Sequence, residues 1–203
     1  MPIFSKEGKS ILFVHVPKAG GSSIEAFFEL NGFKIAYLDT GGGDSLNHLT
    51  RCSPQHMHAD MLKANLNLNA FDYIFMVVRH PFSRLKSEYL MHEENRRVSF
   101  RAWVYRIFDS YRVDSYVADN HIRPQSQFYL PGANVFKIED GLGPEWVRRI
   151  QQKVGFEFEI PVPHDLNRKA IDGMSVKDIF VEADLAKDIY KFYETDFVEF
   201  GYG

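Results

Sequence analysis

Two apolar, β-rich runs, each leading directly into a helix-forming segment, constrain the fold of this chain most strongly. They are ILFVHV at 11–16 and DYIFMVV at 72–78. Short uninterrupted apolar runs of this kind are typical of strands buried on both faces. IAYL at 35–38 and NVFKIE at 134–139 are predicted as further strands. Because helical patterns separate these strands, we expect an α/β fold with a central parallel sheet flanked by helices.

Helical spacing and cap signals predict the remaining elements. The predicted helices cover 23–30, 54–65, 79–95, much of 99–130, 144–153, and a last segment from Ala183. The helix at 54–65 has Ser53 as its N-cap and Pro54 in its first turn. Residues 156–173 are predicted to be an extended loop. A chain of 203 residues is expected to form a single domain, 1–203.

Composition excludes several classes of protein. A single cysteine, Cys52, excludes a disulfide framework and a thiolate-rich zinc site. No apolar run is long enough for a membrane span. A net charge of −3 argues against a general nucleic-acid binder. The arginine-rich stretch 96–123 suits either a pocket for an anionic ligand or a solvated helix surface. A reducing cytoplasm is the expected compartment.

The first strand exit has the composition of a phosphate-binding turn. Between the strand at 11–16 and the next helix lie Pro17-Lys18-Ala19-Gly20-Gly21-Ser22-Ser23. Paired glycines let a backbone approach a ligand closely, and the N–H groups of a helix start favour an anion. The segment is not a Walker A loop, because GxxxxGK[ST] is absent and the lysine precedes the glycines. Taken alone, it is either a phosphate cradle or an ordinary strand–helix turn.

The second strand exit carries an arginine where its strand ends. Arg79 begins RHPFSRLKSEY, and Ser87 lies on the helix that follows. A guanidinium in this position can bind a phosphate with two parallel hydrogen bonds, and Ser87 can add a hydroxyl. Taken alone, the segment could equally be an amphipathic helix opened by Pro81. Since ligands bind beyond the carboxyl ends of such strands, both exits are candidates for anion binding.

Together, HVPKAGGSS and RHPFSRLKSEY resemble the sulfotransferases that use 3′-phosphoadenosine 5′-phosphosulfate (PAPS). The resemblance is to the carbohydrate branch, including the heparan sulfate 2-O- and 6-O-sulfotransferases and bacterial relatives, and extends more weakly through VFKIEDG, HDLN and DFVEFGYG. It implies a P-loop-like three-layer fold with Lys18 as the catalytic lysine. It also implies that the 5′-phosphate is held by Ala19, Gly20, Gly21, Ser22 and Ser23, and the 3′-phosphate by Arg79 and Ser87.

The function implied by this resemblance is transfer of a sulfuryl group from PAPS to an acceptor hydroxyl, on a carbohydrate, without a metal. The desulfonated nucleotide, PAP, is the other product. Two alternatives stay open: a P-loop-like nucleotide kinase, and a nucleotide-binding module without catalysis. Neither a nucleic-acid partner nor a membrane span is expected. The resemblance implies a cytoplasmic, bacterial-type protein, or a Golgi lumenal one if the chain is an excised domain.

Two histidines are candidates for the general base. At about 100° per residue, His56 and His58 point to nearly opposite faces of a helix over 54–65. His58 then flanks the apolar face, from which a histidine can reach a cleft with a pKa near neutrality, while His56 falls on the polar face. HADML also resembles the 6-O enzymes, and HMH resembles the 2-O enzymes. We favour His58, with His56 as the alternative; a structural role for both remains open.

Further candidates surround this site. Arg168 and Lys169, in a loop that resembles the family's later donor-contacting segment, are expected to bind the nucleotide and close over the adenosine. His15 adjoins the first exit and is expected to shape it. Residues expected either to contact an anionic acceptor or to form a solvated surface are Arg96, Arg97, Arg101, Arg123 and Gln125.

Overall fold

A computed structural model of the chain describes residues 1–163 and 174–203. Its centre is a five-stranded sheet in the order β3-β1-β2-β4-β5. The strands are β1 (Ile3–Lys6), β2 (Lys9–Val14), β3 (Lys34–Ala36), β4 (Tyr73–Val78) and β5 (Asn134–Lys137). The predicted α/β fold class is confirmed, and each of the four predicted strands is present with slightly shifted bounds.

Strand direction divides the sheet into a parallel part and an antiparallel edge. β2 pairs with β4 and β4 with β5, both in parallel, with Phe13 opposite Phe75 and Val78 opposite Lys137. β1 is antiparallel to both β2 and β3 and was not predicted. It joins β2 through Glu7 and Gly8, both at positive φ, which is the geometry of a tight hairpin turn. Its short, half-polar sequence gives little strand signal.

Seven helices are found in the described part of the chain. They are α1 (Gly21–Leu30), α2 (Ala59–Asn65), α3 (Pro81–Tyr89), α4 (Phe100–Val113), α5 (Pro144–Val154), α6 (Ala183–Phe192) and α7 (Glu194–Glu199). None of these helices is long and apolar enough to cross a membrane.

Side chains alternate along the parallel strands and give the sheet two buried faces. On one face, Phe13 and Phe75 pack with Phe27 of α1 and Trp146 of α5. The opposite face buries Leu12, Val14, Met76 and Val78 against Leu62 of α2, Phe128 and Phe200. A third cluster joins α3, α4, α6 and α7. Helical layers on both faces leave the carboxyl ends of β2 and β4 as the place where loops and helix starts converge.

The predicted helix over 54–65 is wrong in its first half. Pro54–His56 is a single 3-10 turn, and Met57 and His58 are extended before α2 begins at Ala59. The buried Asn120 side chain donates from Nδ2 to the His56 carbonyl oxygen at 2.8 Å. This contact uses the carbonyl that a continuous helix would need as an acceptor. The interruption makes the helical-face comparison of His56 and His58 invalid.

Candidate functional site

The turn after β2 is shaped by two glycines whose backbone packs closely against neighbouring side chains. Gly20, at φ 90°, precedes α1, and a Cβ placed on it would lie 2.8 Å from Ile138 Cδ1. A Cβ on Gly21 would lie 1.9 Å from Nε2 of His15, which is buried beneath the turn. Lys18 also has positive φ, at 67°. The turn therefore presents backbone and the N-terminus of α1 at the end of β2, an arrangement that suits an anion.

Arg79 lies directly beside this turn. Its Nη1 donates to the Lys18 carbonyl oxygen at 3.2 Å. The buried Gln125 side chain holds the Arg79 backbone at both ends: Arg79 N donates to Gln125 Oε1 at 2.9 Å, and Gln125 Nε2 donates to Arg79 O at 2.7 Å. Gln125 N donates in turn to the buried carboxylate of Asp196 at 2.8 Å. The two strand exits are thus in direct contact, close enough for one ligand to reach both.

The second arginine of the RHPFSRLKSEY segment, Arg84, serves the fold. Its side chain is 2% exposed, and its guanidinium donates to the carbonyl oxygens of Pro17, His121 and Arg123. These bonds fasten α3 to the backbone just before Lys18. Ser87 lies half-buried near the end of α3.

Lys18 projects toward α3 and the segment after it. Its Nζ lies 3.3 Å from Met91 Sδ, a weak acceptor. Its charge also acts on the carboxylate of Glu88, which is 2% exposed. Burial raises the pKa of Glu88, but His121, Lys18 and His92 together outweigh burial and hold the pKa below its usual value. Lys18 is therefore placed beside an ionised, buried carboxylate at neutral pH.

Three imidazoles form a row beside the first exit, each with a carboxylate at Nδ1; we call this row the histidine cluster. Its pairs are His15 with Glu25 at 2.8 Å, His56 with Asp119 at 2.7 Å, and His121 with Glu88 at 2.6 Å. The His15–Glu25 pair is close enough for an ion pair, but its geometry does not meet the angles of a hydrogen bond. Ring centroids are 5.0 Å apart for His15 and His56 and 4.7 Å for His56 and His121. The cluster extends from Gly21 to α3.

His56 is buried in the middle of this cluster, contrary to its predicted position on a polar face. Burial holds its pKa well below the usual value, although the contact with Asp119 acts in the opposite direction. Burial raises the pKa of Asp119, but its bonds to His56 and Ser53 outweigh that effect and lower it. At neutral pH, His56 is therefore uncharged and Asp119 ionised.

His58 occupies a more open position at the start of α2, where it is the N-cap residue. Its Nε2 lies 3.1 Å from the Tyr116 hydroxyl. The Arg51 guanidinium lies 4.0 Å from the centroid of the Tyr116 ring. Burial first, and then the charge of Arg123, lower the pKa of His58. His58 is thus also uncharged at pH 7, and more accessible than His56.

Four of the five residues expected at an acceptor site have other partners in the structure, and the fifth, Arg97, is exposed. Arg123 is buried and donates to Asn120, Gln127 and Ser115. Arg101 pairs with Asp184 of α6. Arg96 lies 3.8 Å from Glu93, and Gln125 holds the Arg79 backbone. Arg123 and Gln125 are thus used by the fold, and the Arg101–Asp184 pair is that of a solvated surface, whereas the Arg96 side chain is only 15% exposed. The predicted nucleotide contacts Arg168 and Lys169 lie outside the described residues.

Several residues of the site were not singled out from the sequence. They are Arg84, Glu88, Asp119, Asn120, and Asp196. The most distinctive local feature is the backbone over Ala118, Asp119 and Asn120, whose φ values are 51°, 53° and 64°. No glycine signals this left-handed stretch, and the partners of Asp119 are more than 60 residues away in sequence. Only the tertiary structure reveals these residues.

Within the described ranges, one group of side chains has metal-ligating types close together: His56, Asp119 and His121, with ligand atoms within 4.8 Å of one another. These are donor types that zinc takes. However, both imidazoles already place Nδ1 against carboxylates, and Asp119 also accepts from the Ser53 hydroxyl at 2.6 Å. These contacts account for the arrangement without an ion.

Comparison with known proteins identifies the family. The model of the sulfotransferase family matches residues 1–203, the entire chain. Neither the search of curated proteins nor that of solved structures found a match. The glycine turn after β2, the arginine after β4 and the contact between them agree with this result. The chain therefore belongs to the sulfotransferase family and is a PAPS-dependent sulfotransferase, in the family that includes the heparan sulfate 2-O- and 6-O-enzymes.

Proposed function

We propose that this protein transfers the sulfuryl group of PAPS to a carbohydrate hydroxyl, with Lys18 as the catalytic lysine and His56 or His58 as the general base. The observation that carries the proposal is the 3.2 Å contact between Arg79 Nη1 and the Lys18 carbonyl oxygen. It makes the two predicted phosphate anchors neighbours, as one nucleotide with two phosphate groups requires.

The donor is proposed to bind across both strand exits. The backbone from Ala19 to Ser23 surrounds the 5′-phosphate, where the α1 N-terminus favours negative charge. Arg79 binds the 3′-phosphate with its guanidinium, and Ser87 adds a hydroxyl. The steric fit of Gly20 and Gly21 supports this assignment, because each packs its backbone closely against a neighbouring side chain and leaves no room for a Cβ.

The reaction is an in-line displacement at sulfur. The acceptor oxygen forms a bond to sulfur as the bond between sulfur and the 5′-phosphate oxygen breaks. The electron pair of the broken bond passes to that phosphate oxygen, where the Lys18 ammonium stabilises the growing charge. The acceptor hydroxyl gives its proton to an uncharged imidazole. Binding both reactants in one orientation supplies much of the remaining acceleration.

The base is proposed to be His56 or His58, both uncharged at pH 7. His58 is more accessible and contacts a tyrosine hydroxyl, whereas His56 contacts a carboxylate. The residues from 1 to 203 are proposed to act as one domain. The carbohydrate acceptor follows from the resemblance of HMH and HADML to carbohydrate enzymes, and the cytoplasm remains the proposed compartment.

The decisive experiment combines labelled PAPS, a panel of sugars, lipids and small alcohols, and the Lys18→Ala variant. We expect transfer to a sugar by the native protein and at least a 100-fold lower turnover in the variant. Isothermal titration should show that the variant still binds PAP. Lys187→Ala, which removes an exposed lysine of α6, is the matched control and should keep full activity.

Three outcomes would contradict the proposal. The first is no transfer to any acceptor by the folded native protein, which would favour a binding module. The second is transfer only to lipids or small alcohols, which would reject the carbohydrate acceptor. The third is full turnover in Lys18→Ala, which would remove the proposed role of this lysine.

A further inference from the structure

The backbone at Ala118, Asp119 and Asn120 is the most strained stretch of the described structure. All three residues are left-handed, with φ of 51°, 53° and 64°, and none is glycine. Each such residue costs about 1 kcal/mol, and longer left-handed stretches of L residues are rare. Strain of this kind persists only where surrounding contacts impose it. The contacts made by these residues are therefore informative.

Those contacts converge on His56. Asp119 Oδ2 accepts from the Ser53 hydroxyl at 2.6 Å and contacts His56 Nδ1 at 2.7 Å, while Oδ1 accepts from Ser53 N at 2.6 Å. The next residue, Asn120, donates to the His56 carbonyl oxygen and is fully buried. Both the backbone and the ring of His56 are thus held by one strained segment.

We propose that Asp119 is a positioning residue that holds His56 as the general base of sulfuryl transfer. This inference rests on the proposed function and deepens it. With Asp119 ionised, Nδ1 of His56 donates its proton to the carboxylate, and Nε2 keeps the bare lone pair that a base requires. The acceptor hydroxyl proton then passes to Nε2 as the new oxygen–sulfur bond forms.

The groups around His56 suit a general base whose ring is fixed in one orientation. The other titratable groups facing it are His15, paired with Glu25, and His121, paired with Glu88. His15 Nε2 abuts the position of Gly21, and Glu88 is the carboxylate beside Lys18. The histidine cluster thereby connects His56 to both the phosphate turn and the catalytic lysine. The His58 ring nitrogen contacts a hydroxyl, and among the residues that the structure describes no carboxylate is hydrogen-bonded to this ring to select its tautomer.

The test compares Asp119→Asn with the conservative Asp119→Glu and with the exposed control Asp114→Asn. We expect turnover of Asp119→Asn to fall about 100-fold, because an amide can also stabilise the wrong tautomer of His56. The Kd for PAP and the KM for the acceptor should stay within about twofold. The acid limb of the kcat profile should move to lower pH, since the anion that raises the pKa of His56 is lost. Asp119→Glu should recover part of the activity, and Asp114→Asn should match the native protein.

A second measurement reads the tautomer in the native protein and does not depend on the Asp119 variants folding. Nitrogen-15 NMR of histidine-labelled native protein at pH 7, with His56 assigned by the His56→Asn variant, should show the tautomer with a proton on Nδ1. The opposite tautomer would overturn the inference, as would native turnover per folded molecule in Asp119→Asn. Loss of turnover in His58→Ala with full turnover in His56→Asn would also overturn it. In these three cases transfer by the native protein would still stand, whereas absence of any transfer would overturn the proposed function itself.

Discussion

The two strand exits of this sulfotransferase are built by different physical means. The turn after β2 depends on the absence of side chains: Gly20 and Gly21 face Ile138 and the His15 ring at distances that leave no room for a Cβ. The segment after β4 depends on side chains. Gln125 holds the backbone of Arg79, and the buried Arg84 side chain binds backbone carbonyl oxygens of neighbouring segments.

This difference suits each exit to its proposed phosphate in a different way. Backbone N–H groups at the start of a helix bind an anion through their fixed positions and the helix dipole. The first exit therefore needs a backbone that an anion can approach closely. A guanidinium binds an anion through its charge and directional hydrogen bonds. The second exit therefore needs other side chains that fix the orientation of Arg79. Two arginines of one short motif consequently have different tasks: Arg84 holds α3 in place, and Arg79 is the proposed phosphate ligand.

The largest effect is expected from adding one methyl group to the first exit. In Gly21→Ala the new Cβ would lie 1.9 Å from His15 Nε2, so the turn or the buried ring must move. We expect PAP affinity and transfer to fall at least 100-fold, measured by titration calorimetry and labelled PAPS. Gly43→Ala, where a Cβ meets open space, is the control. Native affinity in Gly21→Ala would show that the turn is not a steric cradle.

The second effect should separate the two arginines. Arg84→Met leaves the carbonyl oxygens of His121 and Arg123 without their charged donor, and should cost about 3 kcal/mol or more of folding free energy. Arg79→Met should lower PAP affinity about 10- to 100-fold with little change in Tm. Thermal unfolding and PAP titration of both variants provide the measurement. A reversed pattern, with Arg79 controlling stability, would refute the division of tasks.

The smallest effect is a pH dependence of stability from the histidine cluster, which joins the two exits. Burial lowers the pKa of His56 in the folded protein, so the unfolded chain binds the extra proton near pH 6. Stability must then fall as pH falls, by about 1 kcal/mol between pH 6.5 and 5.5 for this group, or a few degrees of Tm. His56→Asn should flatten the profile. An unchanged slope in His56→Asn would contradict the buried, uncharged state of His56.

Much of the fold could be predicted because its signals are local. The central parallel strands β2 and β4 are apolar runs that are largely buried, so their own residues predict them, whereas β1 is short and half-polar and has no such pattern. The prediction of a helix over 54–65 is wrong for a non-local reason: the Asn120 side chain, 64 residues away in sequence, donates a hydrogen bond to the His56 carbonyl oxygen. A helical-wheel comparison cannot anticipate such a contact.

The candidate site shows the same limit. Lys18, Gly20, Gly21 and Arg79 could be selected because they follow strands in recognisable motifs. The carboxylate partner of His56 could not be selected, since Asp119 lies on a left-handed segment without glycine and is distant in sequence. The structural role of Arg84 could not be predicted either, because only its burial in the folded protein distinguishes its role from that of Arg79.

The amino-acid sequence by itself determined the α/β class, the two motif-bearing turns and the resemblance to PAPS-dependent sulfotransferases. These follow from hydrophobic periodicity and short motifs, which are properties of neighbouring residues. Only the tertiary structure decided that the two turns touch, that Arg84 is buried and that His56 lies in a row of imidazoles against Asp119. Such relationships depend on packing between segments far apart in the chain, where hydrogen bonding and burial act and local pattern does not.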